Sequence, residues 1–289
     1  MKVLSNVDMF SRPVIEFATR NVITVVEKEK VVNAMKTMVS YDIRRLPIVR
    51  GDKLVGIITM LDILDAIYSW VSDGTSEGSL YSDIYMKNVI EVGTRSVVSA
   101  RPDTPVSEVI SLFLRHNFGS MPIVDEAGRL VGIFTEWDVM KIASQLDFPH
   151  RVRDVMTRIV YVLTPYSTVL DALEGITIYK FRRYPIVDEA GRVIAMLHAK
   201  DVLKYFASDD TIEKIKRGDV REVLNTYAID IAKSPVFLAK PNDPVVDVIR
   251  KMLEYDIGGV PVVNEEGTAV IGMVTEKTLM LLFEEGPPQ

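Results

Sequence analysis

The sequence predicts an α+β fold built from four copies of one βαββα module. Three observations support this prediction: a proline-centred strand that occurs four times, an apolar helix stripe upstream of each such strand, and a regular spacing between the copies. We number the copies modules one to four in chain order. The proline-centred strands read Leu46-Pro47-Ile48-Val49, Met121-Pro122-Ile123-Val124, Tyr184-Pro185-Ile186-Val187 and Val260-Pro261-Val262-Val263.

A short polar turn with a glycine follows each of these strands and leads into a second apolar run. In module two the turn is Asp125-Glu126-Ala127-Gly128-Arg129, and the run that follows it is Leu130-Val131-Gly132-Ile133-Phe134. Two β-rich runs on either side of a short glycine turn predict a hairpin. Proline fits the start of its strand, because its missing N–H is not needed there.

Apolar residues recur at i, i+3, i+4 and i+7 in the segment before each hairpin, which predicts a helix with one buried face. In module one these residues are Val31, Ala34, Met35, Met38 and Val39. A short β-rich run precedes each of these helices, and a further helix follows each hairpin. The short first strands are predicted at 22–25, 97–99, 159–162 and 236–238.

The spacing of the modules has a second level. The step from Pro47 to Pro122 nearly equals the step from Pro185 to Pro261, and both are longer than the step from Pro122 to Pro185. This order indicates that a two-module domain was duplicated. We therefore predict one two-module domain at 1–145, with modules at about 12–69 and 86–144, and a second domain at 146–289, with modules at about 152–208 and 221–284.

The composition argues against several classes of function. The chain carries 34 basic and 40 acidic residues, and its net charge of −6 disfavours a protein whose main task is to bind a nucleic-acid backbone. It has no cysteine, and its three histidines lack metal-ligand spacing, so we expect no metal site. The first residues show no signal-peptide pattern, and no apolar run is long enough to span a membrane. We therefore expect a cytoplasmic protein.

The four modules resemble the CBS-domain family, whose modules pair into Bateman domains. The resemblance extends from about Arg12 to Phe283. It rests on the lead-in Asp154-Val155-Met156-Thr157, on the hairpin pattern h-P-h-V-D-E-x-G, and on the run G-h-h-T-x-x-D that begins the last helix of a module. Four modules in one chain are similar to the gamma subunits of AMP-activated protein kinase. The resemblance implies two Bateman domains in a flat disc, with ligand clefts between paired modules.

The T-x-x-D pattern supplies candidate ribose ligands. Its first and last residues are Thr59 and Asp62, Thr135 and Asp138, His198 and Asp201, and Thr275 and Thr278. The resemblance implies that Asp62, Asp138 and Asp201 each accept both ribose hydroxyls of an adenine nucleotide. This role suits an ionised carboxylate, which only accepts hydrogen bonds. The same pattern is also a capping box. The two roles are compatible, since a capped helix start holds the carboxylate in place.

Paired arginines precede the hairpins of modules one and three, where modules two and four carry glycine. The four arginines are Arg44, Arg45, Arg182 and Arg183. The resemblance implies that they bind phosphate, which suits the planar, permanently charged guanidinium. A solvated surface pair is the alternative, but recurrence at one motif position in two separate modules favours phosphate binding. Lys200 and Lys277 are further phosphate candidates, although a solvated helix lysine explains them equally well.

The remaining candidate positions differ between the modules. The resemblance places the hydroxyls of Thr24 and Ser99 near the base, whereas Val162 and Leu238 stand there in modules three and four and leave that contact in doubt. His198 either meets phosphate or caps its helix. Because Thr278 cannot offer an anionic acceptor, module four is predicted to hold the weakest site or none.

We therefore expect a regulatory protein that is not an enzyme, binds AMP, ADP or ATP, and relays occupancy to a separate effector such as a kinase, a transporter or an enzyme. No catalytic cofactor is expected, and the sequence has no Walker loop. A homodimer is a further option. Three alternatives stay open: a sensor of another adenosine compound such as S-adenosylmethionine, a structural interaction module, and a nucleic-acid-binding regulator. The arginines favour a phosphate-bearing ligand over S-adenosylmethionine.

Overall fold

The computed structural model describes residues 9–74, 78–116 and 118–283. The predicted domain ends at 1–8 and 284–289 lie outside these residues. The chain divides into two compact units. The odd unit contains modules one and three, at Ile23–Val97 and Tyr161–Val236, and the even unit contains modules two and four, at Met1–Val22, Val98–Val160 and Phe237–Gln289.

The chain passes from one unit to the other in the segment just before the first strand of each module. The predicted duplication boundary at 145/146 lies inside the even unit. That boundary describes which modules are related as copies, whereas the compact units describe which modules share a core. The division into two-module domains at 1–145 and 146–289 stays a prediction.

The odd unit is built from modules one and three, each taken with the segment that leads into the next module, and both contain a helix, a hairpin and a further helix in that order. Module one comprises β1 (Val25–Val26), α1 (Val31–Ser40), β2 (Arg45–Arg50), β3 (Lys53–Thr59), α2 (Met60–Asp73), a π-helix at Tyr81–Tyr85 and α3 (Val89–Val92). Module three comprises α7 (Val169–Ile178), β6 (Arg183–Val187), β7 (Val193–His198), α8 (Ala199–Ala207), α9 (Asp209–Arg217), α10 (Val220–Leu224) and a 3-10 helix at Ala228–Ile231.

The even unit repeats this order. Module two, with the segment that precedes module one, comprises a 3-10 helix at Val14–Glu16, α4 (Val106–His116), β4 (Ser120–Val124), β5 (Leu130–Thr135) and α5 (Glu136–Ala143). Module four, with the segment that precedes the first strand of module three, comprises α6 (Val152–Val155), α11 (Val245–Glu254), β8 (Gly259–Val263), β9 (Val270–Thr275), α12 (Glu276–Leu279) and a 3-10 helix at Met280–Phe283.

The four predicted hairpins are confirmed. Each proline-centred strand pairs antiparallel with the strand that follows it, β2 with β3, β4 with β5, β6 with β7 and β8 with β9. The turn glycines Gly51, Gly128, Gly191 and Gly267 have φ angles of 66°, 78°, 80° and 72°. In this left-handed region a Cβ is disfavoured, which explains why every turn contains a glycine.

The predicted first strands are shorter than expected. Only module one has a two-residue strand, which pairs parallel with β2. In the other modules Ala100, Leu163 and Ala239 each form a single parallel bridge, just beyond the predicted run. The reason is the strand proline: Ala100 donates to the carbonyl of Pro122, but Pro122 has no N–H to bond the residues before Ala100. The prediction of four regular first strands was therefore wrong.

The predicted apolar stripes form the buried faces of the helices. In α1, Val31, Ala34, Met35 and Met38 are at most 1% exposed, and Val39 is half-buried. Removing a large side chain from such a core ordinarily costs about 2–5 kcal/mol of folding free energy. The corresponding buried residues are Val106, Val109, Ile110 and Phe113 in α4, Val169, Ala172, Leu173 and Ile176 in α7, and Val245, Val248, Ile249 and Met252 in α11.

Helices join the two modules within each unit. In the odd unit α1 packs against α8 and α2 packs against α7, and the buried Tyr85 hydroxyl donates to the carbonyl of Phe206 at 2.9 Å. In the even unit α5 packs against α11 and α12. Within the ranges that the structure describes, no helix is long and apolar enough to cross a membrane.

A short segment precedes the first strand of each module, and the backbone of one residue in it, which we call the lead-in residue, is held in the same way in all four modules. Each of the four lead-in residues donates one backbone hydrogen bond to a residue in the second strand of a hairpin and accepts one from it, at 2.8–3.0 Å. The pairs are Thr19 with Ile133, Thr94 with Ile57, Thr157 with Met273 and Lys233 with Met196. The lead-in residues follow one another along the chain by the same steps as the strand prolines. The fold therefore presents four equivalent side-chain positions.

Glycine in the second strand makes room for three of the lead-in segments. A Cβ on Gly272 would lie 2.7 Å from the carbonyl oxygen of Thr157, whereas one on Gly132 would lie 3.4 Å from that of Thr19 and 3.0 Å from the Ile15 side chain. We expect Gly272→Ala to destabilise the protein by about 1–3 kcal/mol, because a backbone segment must move. Gly132→Ala should cost less, because a side chain can turn aside.

Urea denaturation of the two alanine variants measures this difference. Module three carries Ala195 at the corresponding register position, so both variants should fold. Equal losses of stability for the two variants, or a larger loss for Gly132→Ala, would show that the lead-in carbonyl does not determine how much space a side chain has at these glycine positions.

Candidate ligand-binding site

The junction between the second strand and the last helix holds the T-x-x-D positions in every module. The β-register pairs the first motif residue with the first residue of the upstream strand: Arg45 with Thr59, Ser120 with Thr135, Arg183 with His198, and Gly259 with Thr275. Directly opposite residues in an antiparallel pair face the same side of the sheet. In modules one and three, the predicted phosphate residue therefore lies beside the start of the predicted ribose motif.

All four motifs form capping boxes. The first residue is the N-cap, and the side chain three positions later accepts its backbone N–H. The acceptors are Asp62 at 2.7 Å, Asp138 at 3.0 Å, Asp201 at 2.9 Å and the hydroxyl of Thr278 at 2.9 Å. The capping interpretation of the sequence is confirmed, and it fixes the orientation of each carboxylate.

The helix cap uses only one of the two carboxylate oxygens of Asp62. Its Oδ2 accepts both the backbone N–H and the hydroxyl of Thr59, at 2.7 and 2.8 Å. Its Oδ1 receives no hydrogen bond from any residue in the described ranges. Burial raises the pKa of Asp62 above its ordinary value, assisted by the nearby Asp65 and opposed by the Thr59 donors and Lys180.

The carboxylate of Asp138 is more enclosed and better paired. Asp138 is 4% exposed. Its Oδ2 accepts the N–H and hydroxyl of Thr135, and its Oδ1 accepts Lys141 Nζ at 3.0 Å. Sequence reasoning missed Lys141, although the i, i+3 spacing of Asp138 and Lys141 on one helix was the available signal.

In module three, basic groups engage both oxygens of the carboxylate. Asp201 Oδ2 accepts the backbone N–H of His198 and lies 3.1 Å from its Nδ1, while Lys233 Nζ lies 3.4 Å from Oδ1. Burial lowers the pKa of His198. Burial also opposes ionisation of Asp201, but the hydrogen bond and charge of His198, together with Lys233, keep its pKa below the ordinary value. Sequence reasoning missed Lys233, which the regular spacing of the lead-in residues could have identified.

Module four has the same backbone geometry without a charge. The hydroxyl of Thr278 accepts the N–H of Thr275 and donates to its carbonyl at 3.1 Å. The hydroxyl proton is therefore already used within the cap, and the side chain has no anionic oxygen to offer. Module four can cap its helix but lacks the acceptor that the other three modules possess.

All four predicted arginines lie in the odd unit. Arg44, Arg45, Arg182 and Arg183 are half-buried, and each takes part in a contact within the protein. In modules two and four the corresponding residues are Gly119, Ser120, Gly258 and Gly259. The odd unit therefore collects cationic side chains that belong to two modules far apart in the sequence.

The two predicted lysines have different surroundings. Lys200 Nζ forms a 2.8 Å ion pair with Asp42, so a phosphate would have to compete with that carboxylate. Lys277 is exposed. Near the predicted base position, Thr24 is half-buried and Ser99 is exposed, while module three carries Tyr161 stacked on Tyr179 with ring centres 4.9 Å apart. In the described part of the chain, no group of three or more acidic or histidine side chains could hold a metal ion.

Comparison with known families identifies the modules. A family model described as CBS domain matches the chain four times, at residues 14–69, 89–145, 152–208 and 228–285. Together these matches take up well over half of the chain. Each contains one hairpin and one T-x-x-D position.

Comparison with individual proteins gives full-length matches. The chain is 30% identical over 286 residues to protein MJ1225 of Methanocaldococcus jannaschii, covering 95% of this chain and all of that protein. The crystal structure of MJ1225, described as a proposed archaeal homologue of g-AMPK, matches with a TM-score of 0.85 and covers 94% of this chain and 99% of that one. A conserved protein from Pyrococcus horikoshii shares the fold, with a TM-score of 0.61 at 21% identity over 93% of this chain and 99% of that one.

Proposed function

The chain belongs to the CBS-domain family, and from this we propose that it is a regulatory protein that binds AMP, ADP or ATP at its strand-to-helix junctions. The ribose diol would donate to Asp62, Asp138 or Asp201, and at the two sites of the odd unit the phosphates would meet the arginines of that unit. The similarity to MJ1225, described as a proposed archaeal homologue of g-AMPK, supports a nucleotide-sensing role.

The observation that carries the proposal is the hydrogen-bond inventory of Asp62. An ionised carboxylate has about four acceptor positions. The cap uses two of them, both on Oδ2. The two positions on Oδ1 match the two donors of a ribose diol. The cap also keeps the carboxylate from rotating, so little side-chain freedom is lost when the ligand binds.

The arginines favour a nucleotide over S-adenosylmethionine, which has no phosphate. A guanidinium beside a diol acceptor suits a molecule with both a ribose and an anionic tail. The pairing of Arg45 with Thr59 and of Arg183 with His198 supports this arrangement.

We further propose that binding occurs without turnover. One oxygen of each aspartate is bound in a helix cap. This arrangement fits a carboxylate that serves as a fixed hydrogen-bond acceptor better than one that must gain and lose a proton during catalysis. Regulation then requires that the nucleotide binds two conformations of the protein with different affinity. A separate effector protein would read that difference. An interaction module without ligand and a nucleic-acid-binding regulator are the rival functions.

Four measurements test the proposed function: mass spectrometry, calorimetry, the melting temperature and the release of phosphate from ATP. Mass spectrometry of small molecules released from purified protein should detect an adenine nucleotide, and calorimetry should show binding of AMP, ADP or ATP. A ligand at a hundredfold excess over Kd adds about 2.7 kcal/mol to stability, so the melting temperature should rise. Tighter binding of S-adenosylmethionine than of all three nucleotides would replace the proposal with its alternative. An unchanged melting temperature with every adenosine compound, or steady release of phosphate from ATP, would contradict it.

Acidification should weaken the site of module one before that of module three. The diol needs an ionised acceptor, so binding fails when the aspartate is protonated. Burial raises the pKa of Asp62 above the ordinary 3.8, whereas His198 and Lys233 hold that of Asp201 below 3.8. As pH falls, affinity at Asp62 should therefore be lost at a pH above 3.8, while Asp201 still binds.

Two variants isolate the sites for this measurement. In the module-one protein, Asp138→Asn and Asp201→Asn leave Asp62 as the acceptor. In the module-three protein, Asp62→Asn and Asp138→Asn leave Asp201. Calorimetric titration of each variant with AMP over a pH series gives the two profiles. Identical profiles, or earlier loss from the module-three protein, would contradict the assignment.

A further inference from the structure

Module three surrounds its carboxylate with basic side chains in a way that the other modules do not. Asp201 is 4% exposed, and Lys233 lies 3.4 Å from its Oδ1 while remaining 59% exposed itself. His198 contacts Oδ2. Arg183 lies opposite His198 in the hairpin. Two nitrogen-bearing side chains thus contact a single buried acid, and Arg183 lies beside one of them.

The backbone fixes the place of Lys233. Its N–H and carbonyl both bond Met196, each at 2.9 Å. Thr94 is held by Ile57 in the same way in module one. The lead-in residues of the even unit, Thr19 and Thr157, are held likewise, so the position carries threonine three times and lysine once. The ammonium reaches Asp201 because this one side chain is longer and charged.

The charges around Asp201 act on one another. Burial lowers the pKa of His198, and the positive charges of Arg183 and Lys233 lower it further despite the attraction of Asp201. Both cations therefore act on the same ring from nearby. In module one, Asp62 Oδ1 has no such cation bonded to it among the described residues. The two modules of the odd unit thus offer a ligand different surroundings around the same acceptor.

We propose that Lys233 is a specificity-determining residue that makes module three select adenine ligands with a phosphate over the uncharged nucleoside. This inference rests on the proposed function. A nucleoside must displace the ammonium of Lys233 from Asp201 before its diol can bind there, and it has no anionic group to pair with the displaced ammonium. A nucleotide brings an anion, so Lys233 can exchange its carboxylate partner for a phosphate oxygen. In module one the corresponding residue is Thr94, which has no ammonium that a ligand would have to displace from Asp62.

Replacing Lys233 by threonine should remove this selection. In the module-three protein, Lys233→Thr should strengthen adenosine binding and weaken AMP binding, which lowers the ratio of AMP affinity to adenosine affinity by about tenfold. Lys233→Arg keeps the charge and should preserve the ratio. Thr94→Lys in the module-one protein should raise the ratio there. Since threonine already occupies the other three lead-in positions, we expect the Lys233→Thr variant to fold normally.

Calorimetric titration of these proteins with AMP and with adenosine decides the question. A lower ratio in Lys233→Thr and a preserved ratio in Lys233→Arg support the proposal. An unchanged ratio in Lys233→Thr, while the parent binds AMP, overturns the role of Lys233 and leaves the proposed function standing. A parent protein that binds neither AMP nor adenosine overturns both. A thermal melt of each variant confirms that the compared proteins are folded.

Discussion

Replacing Asp62 by asparagine in the module-one protein should weaken AMP binding by about tenfold to a hundredfold. Asparagine retains a carbonyl that can accept the N–H of Thr59, so the helix cap persists. It also places an NH2 group where Oδ1 stood, and that group cannot accept the hydrogen bonds that the two ribose hydroxyls would donate to Oδ1. The ligand therefore loses a charged acceptor, although the fold loses little.

A second capping box in the same unit provides a matched control. Thr168 and Asp171 at the start of α7 repeat the geometry of Thr59 and Asp62, with Asp171 Oδ2 accepting the N–H at 2.7 Å and the hydroxyl at 3.0 Å. This box lies at the start of the helix before the hairpin and not at a junction between a second strand and a last helix. Asp171→Asn should therefore leave AMP affinity unchanged, and calorimetry should separate the two variants. Equal affinities for Asp62→Asn and Asp171→Asn would show that Asp62 is a structural cap alone.

The same reasoning orders the other modules. Asp138→Asn and Asp201→Asn should each remove one site from the wild-type protein, whereas Thr278→Ala should leave the number of bound ligands unchanged. Soaking crystals with nucleotide tests this order directly. Ordered nucleotide beside Thr278, with none beside Asp62 and Asp138, would overturn the assignment of the ribose acceptors.

Replacing Arg45 by glutamine in the module-one protein should weaken AMP binding by about tenfold to a hundredfold and leave adenosine binding unchanged. A charge-assisted hydrogen bond to phosphate is worth about 1.5–3 kcal/mol, and adenosine has no phosphate with which to make it. Arg183→Gln should act in the same way in the module-three protein. Comparing the two ligands separates lost phosphate binding from a general disturbance of the site.

Arg50 offers a control on the same strand. It ends β2, and its guanidinium pairs with Glu27 at 2.7 Å while remaining 71% exposed. Arg50→Gln removes the same charge from the same hairpin and should leave both affinities unchanged. Calorimetry with AMP and adenosine measures all four combinations. Equal loss of AMP and adenosine binding in Arg45→Gln would assign Arg45 to the folding of the site rather than to phosphate.

Local patterns were enough to predict the repeat and its elements. Hairpins, helix faces and capping boxes depend on residues within a few positions of one another, so the glycine turns, the stripe of α1 and the box at Thr59 follow from neighbouring residues alone. The exception is the first strand, where the pattern of β-rich residues was present. Its ladder depends on a strand beyond the intervening helix, and the proline there withholds the N–H that a longer strand requires.

Contacts between distant segments were decided by the tertiary structure. The sequence indicates that modules one and three are copies, but only packing shows that α1 meets α8 and α2 meets α7 in one core. In the structure two α-helices and a 3-10 helix lie between Asp201 and Lys233 along the chain, and only the fold brings the ammonium to the carboxylate. The physical reason is that such contacts depend on where the backbone turns and how each side chain leaves it. Periodicity reports which face of an element is buried, whereas the residue that faces it from another segment is set by packing.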